Sequence, residues 1–244
     1  FTNGNWDTPQ TVTLTGVNDA IVDTDTQTNV TISVTDASSD DNFDALADQT
    51  VTVTTTDNET AAFTKSETTQ TVTEGAGTDT FTLVLGAQPA GDVVLRVTSA
   101  DTGEVTVGAA DYTFTNGNWD TPQTVTLTGV NDAIVDTNTE TTVTITVVDA
   151  SSNDEYDNVA NQTITVTTTD NETAAYTKSE TARTVTEAGG TATFTLVLDA
   201  QPATDVVLGV VSADTGEVTV SAAAFTFTNG NWDTPQTVTL TGVN

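Results

Sequence analysis

The sequence contains no cysteine, histidine or methionine, and it has only 4 Lys and Arg residues against 35 Asp and Glu residues. The absence of cysteine excludes a disulfide framework. Without cysteine and histidine there is neither an ordinary zinc site nor a Ser-His-Asp or Cys-His nucleophile pair. A pair of carboxylates is the one acid–base device left, and we expect that the protein is not an enzyme. Hard oxygen ligands are abundant instead, and calcium prefers these ligands.

Basic charge is scarce as well, so that the 244 residues carry a formal net charge of -31 at pH 7. Such a chain repels phosphates, which argues against nucleic acid as a partner and against an anionic membrane surface. No apolar run reaches the roughly 18 residues that a membrane-spanning helix needs, so we expect no membrane insertion. No basic and apolar leader opens the chain, and any export signal is therefore expected elsewhere.

One 18-residue sequence occurs three times without change, at Phe1–Asn18, Phe114–Asn131 and Phe227–Asn244. The offset is 113 residues each time, and residues 61–131 match residues 174–244 at 58 of 71 positions. A period of this length is that of one ordinary domain rather than of a short solenoid turn. The chain is therefore a cut through an array of near-identical modules.

The polar sequence Thr-Thr-Asp-Asn-Glu-Thr-Ala-Ala recurs at 55–62 and at 168–175 and is interpreted as the linker between modules. Residues 61–173 then form one complete β-sandwich repeat. Residues 1–60 are the C-terminal part of a preceding repeat, with strands E to G, and residues 174–244 are the N-terminal part of a following repeat, with strands A to E. We expect chain outside this sequence to complete each part, either as the continuing array, which is favoured, or as a neighbouring copy in a fibre.

Apolar residues alternate with threonine through the complete repeat, which is the pattern of strands with one solvated face. Seven strands are predicted, at A 70–73, B 80–85, C 92–98, D 104–115, E 123–128, F 141–148 and G 163–169. The fold class is therefore all-β, as tandem immunoglobulin-like, seven-stranded antiparallel sandwiches. The side chains predicted to point into the core are Val72, Phe81, Leu83, Leu85, Val93, Leu95, Val97, Tyr112, Phe114, Val125, Leu127, Val143, Ile145, Val147, Ile164 and Val166.

Acidic residues converge in this topology. Successive strands reverse direction, so the A–B, C–D and E–F loops lie at the pole where strand G ends. These segments carry Glu74, Asp101, Glu104, Asp132, Asp136, Asp170 and Glu172. Like charges packed together repel unless a cation neutralises them, and irregular loops suit the flexible coordination of calcium. The sequence therefore predicts calcium at this pole, against the alternative of a solvated acidic rim.

The order of short motifs resembles the Calx-β module over the whole repeat: Val72-Thr73-Glu74-Gly75, Phe81-Thr82-Leu83, Asp111-Tyr112, Gln123-Thr124-Val125 leading to Asn131-Asp132, and Asp170-Asn171-Glu172. The resemblance is to versions found in tandem in giant type I-secreted (RTX-type) bacterial surface adhesins. It implies Glu74, Asp101, Asp132, Asp136, Asp170 and Glu172 as calcium ligands. The equivalent positions in the flanking repeats are Asp19, Asp23, Asp57, Glu59, Glu187 and Asp214. Asn131 and Asn171 stand where the family has carboxylates, which leaves the number of ions open.

This resemblance implies a calcium-rigidified structural extender of an extracellular bacterial adhesin, biofilm protein or surface fibre, with neighbouring repeats as its partners. Two other hypotheses remain, a carbohydrate-binding module of the same adhesin and a strand-complemented filament subunit. Trp119 and its two copies either cap one end of the core or offer a platform for a surface glycan. A second acidic loop, 149–158, lies at the opposite pole and is a further candidate for an ion. The B–C loop 200–205 and the D–E loop 228–234 of the following repeat are expected to face the calcium pole.

Overall fold

The computed structural model describes all residues, 1–244, and it is built almost entirely from β-strands, with three short 3₁₀ turns at Asp36–Ser38, Asp149–Ser151 and Asp154–Tyr156. No helix is both long enough and apolar enough to cross a membrane. The strands of residues 61–173 are β4 (Phe63–Lys65), β5 (Thr69–Thr73), β6 (Thr78–Leu85), β7 (Gln88–Pro89), β8 (Val93–Ser99), β9 (Val105–Val107), β10 (Asp111–Phe114), β11 (Gln123–Gly129), β12 (Ile134–Val135), β13 (Thr139–Val147) and β14 (Gln162–Thr169).

Two sheets of residues 61–173 pack face to face. One sheet has the order β10-β8-β13-β14-β5 and the other has the order β4-β6-β11-β9. The immunoglobulin-like all-β sandwich is therefore confirmed. One predicted strand divides in two, because strand D becomes β9 and β10. The predicted strand A corresponds to β5, which pairs with β14, and it is preceded by β4, which was not predicted and extends strand A into the other sheet by pairing with β6.

One pairing departs from the expected antiparallel pattern, because β5 runs parallel to β14, with Thr73 opposite Thr169. Strand A crosses from one sheet to the other after Lys65, so its second half meets the last strand of the repeat from the same direction. Parallel neighbours end at the same edge of a sheet. The end of β5 therefore lies directly beside the end of β14, at the pole where the alternation of strand direction places the A–B, C–D and E–F loops.

Threonine alternation correctly predicts the core. Every side chain predicted to point inward is buried except Val147, which is half-buried and packs against the core cluster. The pattern missed two large members, Phe63 and Tyr156, the second of which donates its hydroxyl to the carbonyl of Ala87. It also missed Val22, which comes from the preceding segment and is only 3% exposed within this core.

The first segment contains β1 (Ile21–Val22), β2 (Thr26–Ile32) and β3 (Gln49–Thr55). Strands β2 and β3 form a hairpin in which Val30 lies opposite Val51. The predicted strand E of this segment is wrong, because residues 9–19 form no strand. The same sequence forms β11 in the complete repeat by pairing with β6 and β9, and the first segment holds no counterpart of either partner.

Residues 174–244 contain β15 (Tyr176–Lys178), β16 (Thr191–Leu198), β17 (Gln201–Pro202), β18 (Val206–Gly209), β19 (Val218–Val220), β20 (Ala224–Phe227) and β21 (Gln236–Gly242). Strands β15-β16-β21-β19 form a four-stranded sheet, whereas β18 and β20 pair only with each other. The second half of strand A, residues 182–186, forms no strand here. In the complete repeat the equivalent residues pair with β14. The other strand of this chain that is equivalent to β14 is β3, which lies in the first segment.

Candidate metal centre

The parallel pairing of β5 with β14 builds the centre of the acidic pole, where calcium is predicted. Glu74 follows the last residue of β5, and Asp170 follows the last residue of β14. Because these two strands end side by side, both carboxylates leave the same sheet edge. Carboxylate oxygens of Glu74, Asp170 and Glu172 lie within 4.8 Å of one another. We call these three residues the carboxylate cluster.

The cluster contains buried oxygens that nothing in the protein satisfies. Glu74 is only 7% exposed, and its Oε2 atom has no hydrogen-bond partner. Glu172 is half-buried, and its Oε2 atom is also buried without a partner. Buried polar atoms are nearly always paired, and a buried carboxylate without a partner is costly. The donor set is therefore short of a positive charge, which an oxygen-binding cation would supply.

The pKa values of the carboxylate cluster indicate the same lack of a nearby positive charge. Burial, the charge of Asp132 and contact with Glu172 raise the pKa of Glu74 to about 7. Burial and contact with Asp170 raise the pKa of Glu172. The pKa of Asp170 is lowered, chiefly by a hydrogen bond from the backbone of Glu172. Asp170 thus stays charged, while Glu74 is held towards its neutral form for as long as no cation faces it.

The E–F loop, residues 130–138, brings two further predicted ligands close to the cluster. The backbone N–H of Asp136 donates to Oδ2 of Asp170 at 3.2 Å. Burial, followed by the charges of Asp132 and Asp170, raises the pKa of Asp136. Asp132 accepts a hydrogen bond from the backbone N–H of Ile134 at 2.7 Å. Asp132 and Asp136 are both exposed, and their carboxylates are not among the three that come within 4.8 Å of one another.

The C–D loop brings two carboxylates to this pole, Asp101 and Glu104. Asp101 is exposed and caps its own turn by accepting from the backbone N–H of Gly103 at 2.8 Å. Glu104 is half-buried, and its pKa is raised by burial first and then by the charges of Asp136, Asp101 and Asp132. Glu104 is one of the acidic residues expected at this pole, but it is not among the predicted ligands. The feature of the sequence that could have identified Glu104 is its position directly before Val105, which is buried.

Two asparagines occupy positions where the resemblance expects carboxylates, and they bind each other. Nδ2 of Asn171 donates to Oδ1 of Asn131 at 3.0 Å, which ties the linker to the E–F loop. Gly75 lies between them in the left-handed region, with φ of 75°, and a Cβ atom there would approach both amides to 3.1 Å. Amides at these positions lower the negative charge of the pole and replace a repulsion with a hydrogen bond.

The equivalent carboxylates of the flanking segments are divided between the two ends of the chain. In the first segment, the backbone N–H of Asp23 donates to Asp57 at 3.2 Å, and the backbone N–H of Glu59 donates to Asp57 at the same distance. Asp19 caps the N–H of Ile21. The C-terminal segment holds only Glu187 and Asp214, both exposed. Neither segment gathers three carboxylates as the complete repeat does.

The E–F loop also forms the contact between repeats. Strand β12 pairs in parallel with β17 of the following repeat, and the N–H of Gln201 donates to the carbonyl of Ala133 at 3.0 Å. Strand β1 pairs with β7 of the complete repeat in the same way. The expected contact from the B–C loop 200–205 is therefore confirmed, whereas a contact from the D–E loop 228–234 stays a prediction. Asp132 and Asp136 stand on either side of the two residues of β12, so the same short loop carries carboxylates and an interface.

The remaining candidate features are weaker. In the second acidic loop, the pKa of Asp157 is raised by burial and by Asp149, but no three carboxylates come together there. Trp119 is half-buried and packs against the core, and its carbonyl accepts the N–H of Leu85 at 3.1 Å. This placement is that of a cap on the core rather than of an exposed stacking platform. Trp6, which lacks a surrounding repeat, is 72% exposed.

No family model and no curated protein matches the chain. Among solved structures, it is similar to the apo-form Calx CBD1 domain, at 13% identity over 47% of this chain and 100% of that chain, with a TM-score of 0.36. It is also similar to the calcium binding domain CBD12 of CALX1.1, at 12% identity over 75% of this chain and 76% of that chain, with a TM-score of 0.32. A third similar structure is SSP-19, an MSP-domain protein of Caenorhabditis elegans, at 18% identity over 43% of this chain and 98% of that chain, with a TM-score of 0.32. At these TM-scores the likeness carries no functional argument, and the fold rests on the strand pairing and core described above.

Proposed function

We propose that the chain is a structural extender whose repeats are held in a fixed relative orientation by calcium at each junction. The observation that carries this proposal is the double role of the E–F loop. Asp132 and Asp136 reach towards the carboxylate cluster of one repeat, while β12 between them is hydrogen-bonded to the next repeat. A cation bound by Asp170 would fix the carboxylate that accepts the backbone N–H of Asp136 at 3.2 Å, and it would thereby hold the residue that directly follows β12.

Calcium is the cation that the donors fit best. All the donors are oxygens, they come from irregular loops, and a buried carboxylate oxygen of Glu74 lacks a partner. Calcium accepts six to eight oxygen ligands in flexible geometry, whereas magnesium requires a near-ideal octahedron. Glu74, Asp170 and Glu172 would hold the ion, with Asp132, Asp136 and Glu104 as the nearest further carboxylates. A bound ion would supply the positive charge that allows Glu74 to ionise.

The residues at the linker transmit this constraint. Asp170 and Glu172 lie in the linker itself, and Tyr176, at the start of β15, is only four residues beyond Glu172. A linker of this length allows little slack, since an extended residue spans at most about 3.6 Å. With the linker tied to the pole by Asn171 and the E–F loop paired with β17, two attachments join consecutive repeats. Two attachments restrict rotation more than a single covalent link does.

We further propose that this device serves an extracellular bacterial adhesin or surface fibre. The near-identity of the repeats suits a spacer, which needs many copies of one stiff unit. The absence of cysteine and the large acidic excess suit a chain that becomes ordered where calcium is plentiful. Extracellular modules bind calcium with dissociation constants of about 0.1–1 mM. The proposal assigns no catalytic role to any residue.

Small-angle scattering coupled to size exclusion tests the proposal on the monomer peak. The double variant Asp170→Asn/Glu172→Gln changes no core residue, so each sandwich should stay folded. In calcium, this variant should show a more flexible scattering profile than the wild type, and the wild type in chelator should resemble the variant. Glu67→Gln, an exposed carboxylate that precedes β5, is the matched control. Identical profiles for wild type and double variant in calcium would refute a junction rigidified by the ion.

A further inference from the structure

One residue in the core of the complete repeat comes from the repeat before it. Val22 belongs to the 20-residue core cluster, whose other members all lie between Phe63 and Val166. It is only 3% exposed, and it lies opposite Pro89 of β7, which is buried as well. A valine buried to this extent stabilises the unit that surrounds it, and here that unit is the following repeat.

The equivalent residue of the complete repeat, Val135, is oriented in the same way. It is half-buried, and it is not among the apolar residues that pack against the core of its own repeat. Val135 lines a cleft together with Leu198 and Pro202 of the following segment. These two residues are the counterparts of Leu85 and Pro89, which are buried in the complete repeat. At both junctions, therefore, the valine of the E–F loop faces the following repeat.

Strand β7, which receives Val22, is held in place by side chains of its own repeat. Tyr156 donates its hydroxyl to the carbonyl of Ala87, which directly precedes β7. Nδ2 of Asn116 donates to the carbonyl of Pro89 at 3.3 Å, and Nε2 of Gln88 donates to the carbonyl of Asn116 at 3.1 Å. These bonds tie β7 to the F–G and D–E loops, so the edge that meets the preceding repeat has a fixed position.

The edge of β7 suits only a short partner strand. Pro89 has no backbone N–H, which leaves the N–H of Gln88 as the only main-chain donor of β7. This N–H donates to the carbonyl of Ala20 at 3.2 Å, and the N–H of Gln201 makes the same bond to Ala133 at 3.0 Å. The segment that β7 recognises is therefore one backbone carbonyl followed by an apolar pair.

The E–F loop satisfies its own donor and presents this segment to the neighbour. Asp132 accepts the backbone N–H of Ile134 at 2.7 Å, and Asp19 accepts that of Ile21 at 2.9 Å. Such local bonds from an aspartate fix the backbone of a turn without a partner strand. The carbonyl before the isoleucine and the side chain of the valine after it remain available to the following repeat.

We propose that the folding unit of each repeat includes the Ile-Val pair from the E–F loop of the repeat before it. The structural unit is then offset from the sequence repeat, because residues 21–22 fold with the complete repeat and residues 134–135 fold with the one that follows. In tandem repeats, the stability of a unit depends on its own core and on the interfaces with its nearest neighbours. This interface has a direction, since a repeat receives a core residue from its predecessor and supplies one to its successor. The inference requires no bound ion and so goes beyond the proposed function.

Denaturant unfolding of the whole chain in chelator tests the inference, with Trp119 as the only tryptophan after Trp6 and Trp232 have been replaced by Phe. Val22→Ala should lower the denaturant concentration at the unfolding midpoint, because it removes buried side-chain atoms from the repeat that Trp119 reports. Val135→Ala is the matched control, since it makes the same change at the equivalent position. Although Val135 lies within the sequence of that repeat, its truncation should shift the midpoint less than Val22→Ala does.

With Trp232 as the only tryptophan the order should reverse, so that Val135→Ala lowers the midpoint more than Val22→Ala. Val17→Ala, which truncates a valine that is 88% exposed in the first segment, should change neither transition. A Trp119 midpoint that falls as far with Val135→Ala as with Val22→Ala would overturn the inference, since each loop would then belong to its own repeat. No shift with Val22→Ala, or no reversal with Trp232, would overturn it too. Because chelator is present throughout, these outcomes are independent of the proposed calcium site.

Discussion

Replacing Glu74 with Gln tests whether the buried carboxylate of the complete repeat is kept there for a cation. The change is isosteric and removes one charge from the cluster. The pKa of Glu74 in the folded protein is about 7, against an ordinary value of 4.5. Between these values the folded state binds more protons than the unfolded state, so the stability of the calcium-free protein falls as the pH rises from about 4.5 to about 7.

The size of this effect follows from the difference of about 2.5 pH units, at 1.36 kcal/mol for each unit, which gives about 3 kcal/mol. In chelator at pH 8, Glu74→Gln should therefore be more stable than the wild type by up to about 3 kcal/mol. Near pH 4.5 the two proteins should be almost equally stable, because Glu74 is then protonated. In millimolar calcium the order should reverse, since a ligand that binds only the folded state stabilises it and the amide is a weaker ligand than the carboxylate.

Denaturant unfolding, followed by the fluorescence of Trp119 after Trp6 and Trp232 have been replaced by Phe, isolates the complete repeat. Glu67→Gln is the control, because it removes the same charge from an exposed position and should shift neither curve. A variant that is less stable than the wild type in chelator at pH 8 would refute the reasoning. So would a variant that gains as much stability from calcium as the wild type does.

Three further outcomes are expected. Val22→Ala should lower the unfolding free energy of the complete repeat by about 1–2 kcal/mol, although Val22 lies in the preceding segment, while Val12→Ala at an exposed position should change it little; equal effects would contradict insertion of Val22 into this core. Tyr156→Phe should cost about 1 kcal/mol by leaving the carbonyl of Ala87 without its hydrogen bond, measured by the same unfolding curves, and no loss would mean that this bond is not formed. Gly75→Ala should weaken calcium binding in a titration, because it strains the left-handed turn beside Glu74 and presses on Asn131 and Asn171; unchanged affinity would contradict a ligand role for this turn.

The period of two predicted the core side chains of the predicted strands, because alternation determines which side chains face inward once a strand forms, but it missed Phe63, Tyr156 and Val22, which lie outside those strands. It could not predict partners. The segment Phe1–Asn18 is identical to Phe114–Asn131 and to Phe227–Asn244, yet it forms no strand while the other two copies do. The difference lies in the neighbouring strands β6 and β9, or β16 and β19, which the first copy lacks. Whether a segment forms a strand thus depends on the neighbouring strand with which it pairs, and the sequence of the segment alone does not identify that neighbour.

Only part of the candidate site could be predicted, again because the sequence does not show which strands lie side by side. Loop order located the pole, since it requires only that strands alternate in direction. The crossing of strand A to the other sheet places Glu74 directly beside Asp170, and no sequence signal marks that crossing. Asp101 accepts from the backbone N–H of Gly103, and its role as a ligand stays a prediction. The B–C loop of the next repeat was expected at this pole, but its pairing with a strand of the E–F loop was not predicted, because Ile134 and Val135 look like an ordinary apolar pair within a loop.

The most direct test of a calcium-held junction is a crystal structure of the chain grown in millimolar calcium, with anomalous scattering to identify the ion. The account predicts a calcium ion bound by Glu74, Asp170 and Glu172 at oxygen distances of about 2.3–2.6 Å, with β12 still paired with β17. A pole that holds no ion under these conditions, with Glu74 satisfied by a protein donor or by water, would contradict it.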